Sequence, residues 1–267
     1  MAAPRATSLR RGIEILMALG NDEALERGGL GVVRIAELVG REKSQVSRAL
    51  SALAESGLVD RDPDTRAYRL GWRLFGLAAR SGQPRLVSAA SGFLTALVAE
   101  TGETAHLSVL QGGQVLTLLS QAPPSAITAN GWSGRTVPVV CTSSGRVLLF
   151  DHDLPALRTL LDGTDFHRYG PRAPADLTEL HRRIAAGRER GYAAVDEEFE
   201  PGLVGIAAPV RDIAGRIIAA VNVSGPKFRL GSRFSVTGEA VRRAAEALSE
   251  SVFGEPDAPA APASVTV

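Results

Sequence analysis

Apolar residues recur at helical spacing over the first third of the chain and alternate at strand spacing over much of the remainder. Ser8 to Leu19 carries Leu9, Ile13, Leu16 and Met17 at intervals of three and four, which predicts a first helix. Asn21 to Gly29 is polar and reads as a loop or helix end. From Gly31 to Val39 the pattern places Val32, Ile35 and Leu38/Val39 on one face of a second helix, and Gly40 suits the position just past its end. Ser44 to Glu55 then turns Val46, Ala49/Leu50 and Leu53 inward and leaves Ser44, Gln45, Ser47, Arg48 and Ser51 outward. Leu58 to Arg61, Asp62 to Thr65 and Arg66 to Leu70 follow as strand, turn and strand.

Two helices, a tight turn and a charged hairpin make a winged helix-turn-helix. Short hydrogen-bonding side chains and one arginine on the outward face suit a helix lying against base edges in a major groove. Such units also serve as packing or protein-interaction modules. The outward run of Ser, Gln and Arg, in place of Glu/Lys pairs, favours duplex DNA. Base reading then falls to Ser44, Gln45, Ser47, Arg48 and Ser51, with Arg48 suited to guanine and Gln45 to adenine. Ser44 serves equally as a helix cap. Lys43, Arg61 and Arg66 would contact the backbone, and Arg66 at the wing tip would enter a minor groove; a solvated loop arginine is its rival.

Beyond Gly71, the stretch to Ala79 is short and amphipathic, with Trp72 and Phe75 suited to a helix–helix dimer contact or to the protein's own core. Ser81-Gly-Gln-Pro84 punctuates the chain there. A helix is expected over 85–100, then strands over 105–110 and 115–119 across the turn Gln111 to Gln114. Val137 to Cys141 reads as a strand leading into a helix from Ser143 to Phe150. Helices follow over 155–161 and 177–190, a hairpin of buried strands over 204–223, and a closing helix over 239–253. The order fits an α+β sensor domain.

Composition changes this picture little. At 267 residues the chain has room for two cores. A single cysteine excludes an internal disulfide or a multi-cysteine metal site. No apolar run approaches the ~20 residues of a membrane span, and the N-terminus lacks an apolar signal core, so a cytoplasmic location and no membrane partner are expected. Residues 1–82 hold 13 Lys/Arg against 10 Asp/Glu, so the modest positive excess sits on the helix-turn-helix part.

Catalytic patterns are missing: there is no Gly-x-Ser-x-Gly elbow, no His-Glu-x-x-His helix and no phosphate-cradling glycine loop. Cys141, followed by Thr142 and Ser143, reads as a buried thiol. Asp151-His-Asp153 has metal-ligand residue types at positions that seldom converge on one ion. His106 reads as a strand residue, His181 as a helix-surface residue and His167 as part of a polar loop. No enzyme activity and no cofactor are expected.

Four stretches together carry a family likeness: Lys43-Ser-Gln-Val-Ser-Arg48 through Arg61-Asp-Pro-Asp-Thr65 and Tyr68-Arg-Leu-Gly71; Glu100 to Leu107; Gly191 to Phe199; and Ala207-Ala-Pro209 with Asn222 to Pro226. In this order and spacing the chain resembles IclR-type bacterial transcriptional regulators over roughly residues 8–254. The resemblance implies an α+β protein with a winged helix-turn-helix DNA-binding domain at 1–70, a linker helix at 71–83 and a GAF-like effector-binding domain at 84–254; the Pro/Ala-rich composition after it reads as a disordered tail at 255–267. It implies partners of three kinds: double-stranded promoter DNA, a small-molecule effector (an organic acid or aromatic metabolite) and further copies of the chain, as a dimer or tetramer. Family members act as repressors or activators, and a dimer would bind a pseudo-palindromic operator with half-sites about one helical turn, or a multiple of it, apart.

Ser143, Ser144, Gly145, Asp196, Leu203, Gly205, Asn222 and Ser224 match the family's pocket-lining positions. The first three open a helix whose N–H groups and hydroxyls could receive a carboxylate. Asp196 would orient a hydroxyl or cation, although Asp196-Glu-Glu198 reads equally as an acidic loop facing water. The chain departs from the pattern at Gly205, where members often carry cysteine, at Gly145-Arg146 in place of Gly-Lys, and in the wing, where Thr65-Arg-Ala-Tyr68 replaces Thr-Gly-Arg-Tyr. The change at 205 suggests a roomier pocket and a ligand larger than a two- or three-carbon acid. Two other classes stay open: a metabolite-binding module whose helix-turn-helix mediates protein association, and a small-molecule hydrolase fused to a DNA-binding domain.

Overall fold

The computed structural model describes residues 7–80, 84–124 and 132–253; the tail expected from 255 lies outside them. The chain divides into two compact units at Pro84/Arg85.

In the first unit, α1 (Thr7–Leu19), α3 (Val32–Val39) and α4 (Lys43–Glu55) enclose a core that includes Ile15, Leu19, Leu30, Ile35, Val46 and Leu50. The stretch after Asn21 is not a plain loop. It forms a one-turn helix α2 (Asp22–Glu26), because Asn21 Oδ1 accepts from Ala24 N at 2.8 Å and Asp22 and Glu23 sit where the helix dipole favours negative charge. Five residues are too few to show a period, so the pattern missed it. Gly40 closes α3 in the left-handed region (φ 61°), as expected. Leu38, expected inward, is 39% exposed: the two-turn α3 seats Ile35 and Ala36 fully and Val39 partly, which leaves Leu38 on the rim.

The hairpin strands are shorter than expected, β1 (Val59–Arg61) and β2 (Tyr68–Leu70), paired antiparallel. Asp62 explains this. Its Oδ1 accepts from Asp64 N, Thr65 N and Thr65 Oγ1 at 2.8–3.1 Å, and these bonds draw residues 62–67 into the turn and hold its carboxyl below the usual range. Arg66 sits at φ 62°, so an arginine occupies the left-handed position after Thr65 where the family pattern has glycine. Arg66→Gly should therefore stabilise this unit by about 1 kcal/mol in chemical denaturation. The same change should lower DNA affinity across all sequences and reduce the salt slope by about one.

Helix α5 (Trp72–Ala79) buries none of its residues. Trp72 is 79% exposed and Phe75 70% exposed, edge to face at 6.4 Å, so neither serves this unit's core.

The second unit is a six-stranded antiparallel sheet of order β5-β4-β3-β8-β7-β6. The strands are β3 (Thr104–Gln111), β4 (Gln114–Gln121), β5 (Thr136–Pro138), β6 (Ala193–Asp196), β7 (Leu203–Arg211) and β8 (Ile217–Pro226). Strand alternation sorts two faces. Leu107, Ile206, Val210, Val221 and Val223 pack with α6 (Pro84–Thr101) and α11 (Phe234–Phe253) through Leu94, Leu97, Val241 and Leu248. Ala193, Ala207 and Ala220 meet the second core, built on α7 (Ser143–Leu148), α8 (Leu154–Leu160) and α9 (Leu177–Arg190) with Phe150, Leu157, Leu180 and Ile184. Central β7 and β8 are covered on both sides, hence their nearly unbroken apolar runs.

Three differences from expectation have local causes. Cys141 closes a 3-10 turn (Val139–Cys141) after β5 ends at Pro138, so it is buried but not in a strand. The segment after Gly191 forms edge strand β6, four residues long and too short to show alternation. A further short helix α10 (Lys227–Leu230) precedes α11, which starts five residues before the predicted point.

Candidate functional site

Helix α4 presents the outward side chains the pattern foresaw. Ser44, Ser47, Arg48 and Ser51 are exposed and Gln45 half-buried, over a seam of buried Val46 and Leu50. The helix is capped at Glu42, without a side-chain bond, so Ser44 lies inside its first turn and is not the cap. Ser51 Oγ donates to Ser47 O at 3.1 Å; its proton is engaged, and it can offer a base or phosphate only lone pairs. The neighbouring arginines differ in pairing. Arg34 is bonded to Glu23 and Glu37, Arg41 pairs with Glu14, and Arg69 lies 4.0 Å from Asp60. Lys43, Arg48 and Arg66 make no ion pair among the described residues and face solvent. Arg61 places its guanidinium 5.1 Å from the centroid of the Tyr68 ring, which steadies it on the wing.

The second unit holds a cavity of about 80 Å³ on the α7 side of the sheet. Period-two alternation builds it: His106 and Ser108 from β3, Thr117 from β4, and Asn222 and Ser224 from β8 point away from the α6/α11 core. Ser143 and Ser144 enter from the start of α7, while Trp132, Phe199, Val137 and Leu203 supply apolar walls. Trp132 and Phe199 stand edge to face at 6.4 Å. Among the described lining residues none carries a charged side chain.

Six of the eight expected effector positions line this cavity: Ser143, Ser144, Leu203, Gly205, Asn222 and Ser224. Gly145 and Asp196 do not. A Cβ on Gly145 would collide with the Val139 carbonyl, and its N–H already donates to Thr142 Oγ1 at 3.2 Å, so it is a packing position with no donor to offer. Asp196, at the end of β6, is tied to Arg172 and Lys227. The larger pocket expected from Gly205 is not there either. A Cβ at 205 would lie 2.9 Å from Ser143 Oγ, so the serine hydroxyl fills the space that a cysteine would take.

The acidic run does not form one solvated loop. Asp196 and Glu197 share Lys227, whose ammonium together with the Gly202 N–H holds the Glu197 carboxyl below its usual range. Glu198 turns inward and is 4% exposed. It accepts from Arg146 Nη1 at 3.1 Å, also bonds Arg146 Nη2, and meets Arg183 at 3.0 Å. Arg146, the residue standing for the family lysine, is thus a buried structural cation outside the cavity lining.

Two ionisable groups in the lining are held neutral. Burial pushes the Cys141 thiol up to about 12, which removes its nucleophilicity near neutral pH. Burial drives His106 down to about 4, from an ordinary 6.5. The unfolded chain takes up that proton as the pH drops below 6.5, whereas the folded chain resists until near 4. The imidazole's contribution to stability is therefore complete above 6.5 and lost as the pH falls towards 4. Urea midpoints measured across that window should fall more steeply for the parent protein than for His106→Phe.

Among the described residues no three His, Cys, Asp or Glu side chains form a metal-holding group. Asp151 accepts from Arg211 and from Ile217 N, and Asp153 caps α8 at Ala156 N, so the Asp-His-Asp run is structural. No helix of the described residues is long and apolar enough to cross a membrane.

Comparison with known proteins decides the family. The family described as bacterial transcriptional regulator IclR C-terminal matches residues 81–250, and the IclR helix-turn-helix domain matches residues 8–63. The chain belongs to the IclR family of bacterial transcriptional regulators. Relatives in this family include the HTH-type transcriptional regulator XynR of Escherichia coli, 33% identical over 83% of this chain and 86% of that protein. Another is BhcR of Paracoccus denitrificans, 32% identical over 94% and 89% respectively. An IclR homologue from Microbacterium hydrocarbonoxydans, solved in complex with 4-hydroxybenzoate, superposes with a TM-score of 0.78 at 27% identity, covering 92% of this chain and 98% of that one. This IclR-family chain is accordingly a transcriptional regulator that joins a helix-turn-helix DNA-binding domain to a GAF-like α+β effector-binding domain. Sequence reasoning missed His106, Ser108, Thr117, Trp132 and Phe199 as cavity residues of the regulator. The available signal was the polar pair His106/Ser108 alternating with Ala105/Leu107.

Proposed function

We propose that the regulator reads promoter DNA through α4 and that a compact metabolite in the sheet cavity modulates this binding. Gln45, Ser47 and Arg48 face base edges, Ser44 and Ser51 the adjoining groove wall, and Lys43, Arg61 and Arg66 the phosphates. The observation that carries the reading is selective pairing: among the described residues Lys43, Arg48 and Arg66 make no ion pair, whereas Arg34, Arg41 and Arg69 lie within 4.0 Å of an acid. An organic acid or aromatic metabolite is the effector class, supported by the 4-hydroxybenzoate complex of the Microbacterium homologue; the cavity volume favours the small end of that range. The effector domain occupies 84–254, and 71–83 links it to the winged unit at 1–70. The regulator acts in the cytoplasm as a dimer or dimer of dimers without catalysing a reaction. Exposed Trp72 and Phe75 on α5, and Leu9, Ile13 and Met17 along α1, are apolar surfaces suited to a second copy.

Retention on random duplex DNA as a function of salt tests the core of this reading. Affinity should fall log-linearly with salt, with a slope reflecting several phosphate contacts. Failure to bind any duplex at low ionic strength, with or without candidate acids, would sink it.

A further inference from the structure

The loop between β6 and β7, residues 197–202, carries part of the cavity wall and is pinned from two sides. Its Phe199 lines the cavity and meets Trp132 edge to face at 6.4 Å. Cys141, Ser143 and Gly205 in the lining are buried, whereas Trp132 and Phe199 are half-buried. Among the described residues this aromatic pair thus stands between the cavity and solvent. On the inner side, Glu198 is held in the core by Arg146 and Arg183. That anchor fixes the start of the loop and leaves Phe199 to Gly202 as the part able to swing, with Gly202 at φ 78° as its far hinge. On the outer side, Glu197 closes the loop on itself. It occupies the left-handed region (φ 55°), unfavourable for a residue with a Cβ. From there its Oε1 accepts from Gly202 N at 3.0 Å, and its Oε2 meets Lys227 Nζ at 2.6 Å. Lys227 completes the ring: its backbone N–H donates to Gly202 O at 2.8 Å, and its ammonium also pairs with Asp196.

We propose that Glu197, locked by Lys227, is the latch of a gate: it holds Phe199 against Trp132, and its release admits small molecules to the cavity. Neither latch residue belongs to the lining, so both are positioning residues. They set the rates of entry and exit and leave the contacts inside the cavity alone. The two anchors of the loop differ in kind. Glu198 is 4% exposed and shielded from salt, whereas the side chains of Glu197 and Lys227 are 21% and 35% exposed. The outer latch is therefore the weaker of the two and the one that ionic strength loosens. The gate concerns access alone and goes beyond the effector reading; it holds whichever ligand the cavity takes.

Cys141, the single cysteine of the chain, reports on the gate from within the lining. The test follows its modification by methyl methanethiosulfonate, a small neutral thiol reagent, in the ligand-free full chain. In the parent the rate should stay flat across low urea, as local opening requires, and rise about threefold between low salt and about 1 M salt. Glu197→Ala keeps a Cβ in the left-handed position and removes the latch; it should react about tenfold faster and lose the salt response. Lys227→Met should react about threefold faster. The double variant should match Glu197→Ala within about twofold, because the two side chains form one latch. Arg243→Ala breaks an exposed pair with Glu100 on the α6/α11 side and should leave the rate unchanged. A Glu197→Ala rate within about twofold of the parent would overturn the gate, as would multiplying effects in the double variant or equal acceleration by Arg243→Ala. So would a parent rate that ignores salt or climbs with urea along the global unfolding transition. The salt and urea arms use the unmodified protein, so they decide the matter even if a variant misfolds.

Discussion

Glu198→Gln should destabilise the effector domain by about 3–5 kcal/mol and lower its melting temperature by about 10 °C. The substitution keeps the shape of the side chain and removes its charge. Arg146, 3% exposed, is then left as a buried cation whose carboxylate partner has gone, with neutral acceptors alone, the glutamine amide oxygen and Ala194 O at 3.2 Å, among the described residues. The mirror-image change should cost less. Arg146→Met leaves Glu198 its second cation, Arg183 at 3.0 Å, and Arg183 reaches solvent, so about 1–2 kcal/mol is expected. Combining Arg146→Met with Glu198→Leu should recover most of the loss, because two apolar side chains replace a desolvated pair. Calorimetric melting of the three variants checks the order; a glutamine variant that melts within a degree of the parent would show that the pair contributes little. The consequence reaches the cavity, since Arg146 lies on α7, which opens with Ser143 and Ser144, and Glu198 precedes Phe199 in the wall.

The second large effect is expected at Arg48. Arg48→Ala should weaken specific DNA binding by about 1–3 kcal/mol and relax sequence choice at one position in each half-site. Two features of the residue support this. It is exposed on the outward face of α4, and it has no acidic partner among the described residues that would have to be displaced on docking. Lys43→Ala supplies the contrast: a phosphate contact should cost affinity equally on all sequences and reduce the salt slope by about one. Titrations of selected and random duplexes at several salt concentrations distinguish the two patterns. Unaltered footprint and selectivity in Arg48→Ala would remove the residue from base reading.

The winged unit could be read from the chain because its logic is local. Val46 and Leu50 inward, Ser47 and Arg48 outward, Gly40 at the helix end and Asp62 in the turn are all decided within a few residues of one another. What escaped the pattern there was either too short to carry a period, as with α2, or a competition between neighbours, as where Asp62 drew Arg66 and Ala67 out of the predicted strand. The cavity is different in kind. His106 and Ser224 are 118 residues apart and touch only because β3 pairs with β8. Positions such as Asn222 and Ser224 were reachable only through family likeness, and likeness also brought in Gly145 and Asp196, which packing and ion pairing turn to other uses.

Residue order alone was enough to establish the helix-turn-helix with its wing, the α+β character of the second unit and the family. The first two follow from hydrophobic period and turn chemistry acting over short stretches, and the family from the likeness of four motif stretches in their order and spacing. Which polar groups are paired, which are orphaned, and whether a missing Cβ opens space or is filled by a neighbour depended on distant strands meeting. Hydrogen bonds and ion pairs inside a low-dielectric core are settled by three-dimensional proximity, which one-dimensional spacing does not encode.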